Sequence, residues 1–197
     1  LGLALAASLW AVVFALKPLN FWAEISVAVA VLAGYALHSA REELRALFSY
    51  KAGMIMTGVA GALLLYGIFV IGGWAAKTLL PFASGEISSI YALGGQAPRW
   101  LLILLLAALI APCEEIFWRG LIQSTFSEHF GDVRGFLLMA AAYALVHVWA
   151  WNLTLMGAAL ICGLFWGFMV HRLKSLIPSI ISHVIWDLAI FVFYPVT

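Results

Sequence analysis

Trp100–Gly120 reads WLLILLLAALIAPCEEIFWRG. An unbroken apolar run, Trp100–Ala111, leads into two adjacent acids, Glu114 and Glu115, and then Arg119, after which Leu121 and Ile122 resume the apolar pattern. A charged side chain at mid-bilayer costs roughly 2.5–3.5 kcal/mol on insertion scales, so a cluster of three demands a reason. The stretch reads as a membrane helix carrying a reaction centre. The rest of the chain reads as helices arranged around it.

Composition supports that frame. The chain of 197 residues is 65% hydrophobic and 10% charged, with a mean hydropathy of +1.08. A soluble domain is about 45–50% apolar and about 25% charged. A water-soluble fold cannot hide this much apolar surface, so an integral membrane protein is expected. The apolar runs are continuous rather than alternating, which selects helices over an outer-membrane barrel. The fold class is therefore all-α, a polytopic bundle of about seven spans. A net charge of +1 argues neither for nor against nucleic acid, but no basic tract is present, so no nucleic-acid partner is expected; the lipid bilayer is. Cys113 and Cys162 both sit in apolar runs, which argues against a disulfide framework.

The expected spans are Leu1–Leu16, Phe21–Leu37, Gly53–Leu80, Arg99–Phe126, Gly135–Trp151, Leu153–Val170 and Leu176–Val196. The first lacks a basic leader region and runs straight into another apolar segment, so it reads as a span and not a signal peptide. His38–Lys51 is polar with Leu44, Leu47 and Phe48 at helical spacing, which suits a helix along the membrane surface. Pro81–Pro98, containing Gly, Ser and Pro, reads as a loop. No internal repeat divides the chain. Residues 1–98 supply helices without motifs and 99–197 the motif-bearing bundle, within one integrated membrane domain. Counting Lys and Arg over alternating loops gives Arg41, Arg45, Lys51, Arg134, Arg172 and Lys174 on one side, against Lys17, Lys77 and Arg99 on the other. The richer side is expected in the cytoplasm, and the N-terminus with it.

Helix geometry sorts the polar residues. Glu115 and Arg119 are i,i+4 and can pair, with the acid N-terminal to the base as preferred. Glu114 lies about 100° around the helix and finds Trp118 at its own +4 position, so it is free for general acid–base work. Pro112 just upstream removes a backbone donor, which can widen a cavity or kink the helix. His147 stands in the fifth span with Tyr143 one turn before it. His183 and Asp187 form a further i,i+4 pair in the seventh. A lone membrane histidine is as often a packing residue as a functional one, but a free acid and two histidines on three spans are the groups that can converge. Glu114, His147, His183 and Asp187 would suit zinc with an open position for water. Without metal, the same groups can polarise water and stabilise an oxyanion. Both schemes are hydrolytic. Gly163 and Gly167 read as a helix-packing face, and the apolar setting of Cys113 argues against a thiolate nucleophile.

At these residues the chain resembles the CAAX-protease and bacteriocin-processing family of intramembrane proteases. Its EExxxR motif is matched by Glu114, Glu115 and Arg119, followed by Gly120. Its FxxxH motif is matched by Tyr143 and His147, with Tyr in place of Phe. Its HxxxN motif is matched by His183 and Asp187. The order fits, each motif falls on a separate span, and the likeness covers roughly Arg99–Phe193. Pro112–Gly120 is also similar to the bacterial branch called myxosortases, whose substrates are C-terminal sorting tails of surface proteins.

The resemblance implies an intramembrane endopeptidase acting on a membrane-anchored protein or peptide, in a bacterial or archaeal inner (plasma) membrane. Glu114 and His147 would activate water, His183 with Asp187 would hold the oxyanion, and Glu115, Arg119 and Tyr143 would support the site. Asp187 replaces the commoner Asn, and an ionised Asp cannot donate to an oxyanion, which leaves zinc and metal-free schemes both standing. Two rival readings are a non-catalytic immunity or scaffold protein that kept the fold, and an intramembrane ion or proton pathway.

Overall fold

The computed structural model describes residues 1–196. The described chain is helical throughout, in nine helices: α1 Gly2–Leu16, α2 Phe21–Ser39, α3 Arg41–Leu47, α4 Met54–Leu79, α5 Ala83–Ala92, α6 Arg99–Phe130, α7 Asp132–Ala150, α8 Leu153–Leu173 and α9 Ile177–Phe193. Five of them, α2, α4, α6, α7 and α8, are long and apolar enough to cross a membrane, while α1 and α9 are shorter apolar helices. Leu63, Leu64, Ile71 and Trp74 of α4 stay exposed, a cost water would exact and lipid does not. The protein is an integral membrane helix bundle.

Local signals set the helix ends. Asn20 and Asn152 cap α2 and α8, their side-chain oxygens accepting from Trp22 N at 2.9 Å and Leu155 N at 2.7 Å. Gly131, at φ 85°, makes the sharp turn from α6 to α7 that a side chain would strain. The close packing is α8 on α7 and α9 on α4. Gly163 belongs to the first interface: a Cβ there would meet Ala140 Cα at 3.0 Å, as the small-residue spacing implies. Gly58 belongs to the second, where a Cβ would meet Pro178 O at 2.9 Å.

The two polar ends of the bundle match an alternating path. At one end the segments following α2, α6 and α8 meet: Ser175 Oγ donates to Ser49 O at 3.0 Å, Leu176 N to Leu47 O at 2.8 Å, and Lys174 pairs with Asp132 at 2.6 Å. At the other end Asn20 Nδ2 donates to Gln96 O at 3.0 Å and Asn152 Nδ2 to Glu86 O at 3.0 Å. The expected loop at 81–98 is instead helix α5 and a tight turn, Leu93–Gln96. Its Gly, Ser and Pro content reads as loop, but three tertiary anchors offset the weak propensity. Glu86 accepts from Thr154 N and Oγ1 at the start of α8, Trp22 Nε1 donates to Leu93 O, and Gln96 Oε1 accepts from Phe21 N.

Candidate active site

The motif region of α6 is not a uniform α-helix. Wide π-type turns occupy Leu106–Ile110 and Ile116–Gln123, on either side of Ala111–Glu115. Pro112 has no N–H to give the preceding turn, and wide turns flank the segment that carries it. The expected disruption is therefore present, spread over several turns. It leaves Glu114 and Glu115 facing the bundle interior, 7% and 0% exposed.

Glu115 and Arg119 pair as their spacing implies, Nη1 to Oε1 at 2.8 Å, with both side chains fully buried. The guanidinium also donates from Nη2 to Cys162 O at 3.3 Å and lies over the rings of Tyr143 and Trp166, at 4.8 and 5.3 Å from their centroids. The same Glu115 Oε1 holds His183 Nδ1 at 2.9 Å. This bracing pair therefore also orients a histidine on α9, a link the sequence leaves open.

Glu114 is not free of partners: the Tyr143 hydroxyl donates to its Oε2 at 2.8 Å. Its Oε1 receives no hydrogen bond from any described residue. His183 Nε2 lies 3.9 Å from Glu114 Oε2 and 3.6 Å from Asp187 Oδ2, so His183 and Asp187 are close without bonding directly. Trp166 stacks on the His183 ring at 3.8 Å and 21°, and its indole N–H donates to Ser182 Oγ at 3.1 Å.

His147 opens the tight last turn of α7, His147–Ala150, with both ring nitrogens engaged. Nδ1 lies 2.7 Å from Tyr143 O, a contact only an Nδ1–H can make favourable. Nε2 then carries the lone pair and accepts from the indole N–H of Trp10 at 3.3 Å. Trp10, on α1, is fully buried and also meets Trp118 edge-on. Sequence reasoning missed Trp10 and Trp166. Neither lies in a motif, and an apolar run with a tryptophan gives no sign of which histidine the indole will meet.

One half-open cleft of about 140 Å3 gathers Glu114, Tyr143, His147, His183 and Asp187 among walls that include Phe14, Trp22, Leu106 and Trp186. Glu115 and Arg119 lie behind its wall, and Cys113 does not line it. Among the described residues no three His, Cys, Asp or Glu side chains are grouped to hold a metal ion. His147 Nε2 meets the Trp10 indole at a long 3.3 Å, and the Glu115 contact at His183 Nδ1 leaves Nε2 of that ring facing the cleft.

An all-helical membrane bundle thus gathers acids and histidines from three helices in one cleft, and ionisable groups inside a membrane mark a functional site. Residues 96–189, a little under half of the chain, match the family described as type II CAAX prenyl endopeptidase Rce1-like. All three motifs lie inside the match. No curated protein and no solved structure matches the chain.

Proposed function

We propose that the protein is an intramembrane endopeptidase that hydrolyses a peptide bond in a membrane-anchored protein or its C-terminal tail, with Glu114 as general base. The observation that supports this most strongly is the single cleft shared by Glu114, His147, His183 and Asp187. Tyr143 clamps one carboxylate oxygen of Glu114 and leaves Oε1 to take a proton from water. His147, held on Tyr143 O, orients that water through Nε2 when the water displaces the long Trp10 contact. The water oxygen then attacks the peptide carbonyl, and its proton resides on Glu114. The carbonyl oxygen becomes an oxyanion facing His183 Nε2 and Asp187. Collapse breaks the C–N bond, Glu114 returns the proton to the leaving nitrogen, and a carboxylic acid and an amine depart, the acid's proton passing to the amine in water.

Arg119 and Glu115 act at one remove, fixing His183 through Nδ1. Asp187 can donate to an oxyanion only while it carries a proton. The apolar cleft walls suit an extended segment leaving a membrane helix, such as a tail of the kind myxosortases receive. The six basic residues gathered at one end favour that end, and the N-terminus, in the cytoplasm. The test is co-expression with candidate membrane-tail substrates and comparison of their masses. Glu114→Ala should lower cleavage roughly 10²–10⁴-fold while expression and folding persist, the range of a lost general base. Undiminished cleavage by that variant rejects the mechanism.

A further inference from the structure

A second cavity, of about 250 Å3, lies at the polar end of the bundle where α6, α7 and α8 meet. Arg119, Gln123, Ser124, His171, Asp132 and Lys174 all line it. The last two form the exposed ion pair at its mouth. Three of these residues carry a buried polar atom that no described residue satisfies: Arg119 Nε, Gln123 Oε1 and His171 Nδ1. Arg119 is fully buried and Gln123 is 4% exposed. Buried polar groups are normally paired with protein or with ordered water, and a polar space of this size holds several waters. A dedicated ion fits less well. Glu128 and Asp132 share the wall with Arg119 and Lys174, and both cations are already paired.

The position of Arg119 gives the cavity a role. Its guanidinium reaches Cys162 O and covers the faces of Tyr143 and Trp166, and those three residues line the reaction cleft. Arg119 therefore lines the polar cavity and packs directly on the wall of the cleft. We propose that this cavity is a water-binding vestibule that supplies the reaction cleft past the Arg119 guanidinium, so that water and peptide reach the site from different sides. The supply role rests on the hydrolytic reading of the cleft; the presence of water in the cavity does not.

The experiment uses the full chain in membranes and reads the two parts separately. Gln123→Cys and Ser124→Cys are treated with 2-aminoethyl methanethiosulfonate, and added mass is compared with wild type, which supplies the background of Cys113 and Cys162. Both introduced thiols should label, on the order of tenfold faster than Cys162, because a thiolate forms and is reached only where water has access. A thermal unfolding curve establishes that each variant is folded. Two folded variants that both resist labelling would mean a dry cavity and overturn the proposal. Ser124→Leu, which fills the vestibule, should lower kcat roughly tenfold with KM unchanged, the mark of a deficit after substrate binding. An unchanged kcat overturns the supply route even if the thiols label. Glu114→Ala is the control in the same assay: if it cleaves as well as wild type, the hydrolytic reading fails while the labelling result still decides whether the cavity holds water.

Discussion

Replacing Arg119 with Met removes the one cation from a site whose acids are buried. Glu115 would keep His183 Nδ1 on Oε1 at 2.9 Å, but its charge partner at 2.8 Å would be gone and its Oε2 already has no hydrogen-bond partner. Breaking a fully buried ion pair costs about 3–5 kcal/mol, because the remaining charge has no solvent to turn to. The surviving histidine contact favours the lower end, about 3 kcal/mol. Loss of the guanidinium from the Tyr143 and Trp166 faces adds about 0.5–2 kcal/mol. At roughly 2–4 °C per kcal/mol for a chain of this size, the midpoint should fall by about 6–12 °C from the ion pair alone. The assay is thermal unfolding in detergent, followed by tryptophan fluorescence. Glu115→Gln in the same chain should restore much of the loss, since a neutral amide keeps an oxygen for His183 and leaves no stranded charge. A single variant within about 1 kcal/mol of wild type, or a double variant as unstable as the sum of its parts, refutes the reasoning.

Asp187→Asn supplies a permanent donor where an aspartate donates only when protonated; it should keep or raise cleavage, and a loss of roughly 10²-fold would mean that the carboxylate acts as an anion. Trp10→Phe leaves His147 Nε2 without its donor, at a cost of about 1–3 kcal/mol. In ¹⁵N spectra of histidine-labelled protein the Nε2 resonance of His147 should move while Nδ1–H stays on Tyr143 O, and an unmoved Nε2 rejects the Trp10 contact. Glu86, outside the spans, is pushed up by burial, but bonds from the Thr154 side chain, Thr154 N and Leu153 N pull more strongly and hold it below the ordinary carboxylate value of 4.5. A depressed carboxylate contributes its stability above its unfolded value and loses it as pH falls through the folded one. Limited proteolysis at 83–96 should therefore quicken as pH falls below 4.5 in wild type, while Glu86→Gln should show faster cleavage already at neutral pH and little further change. A wild-type rate that does not rise in acid discards the anchor.

What could be read from the chain alone was whatever depends on a helix's own geometry or on bulk solubility. Continuous apolar runs required a helical membrane bundle, because lipid leaves backbone groups no partner except those in the same helix. The Glu115–Arg119 pair followed from i,i+4 spacing, and Pro112 announced a disturbed backbone beside the acids. The contacts that make a site from these residues were not readable, because they join helices far apart in sequence and have no period. Tyr143 meets Glu114 across 29 positions, His183 meets Glu115 across 68, and Trp10 meets His147 across 137. Helix α5 escaped notice for the same reason: anchors on α2 and α8 hold it, and its own composition argues for a loop. Spacing set which face each acid and histidine occupies. Only packing decided which of those faces meet, and which nitrogen of His147 is left to carry the lone pair.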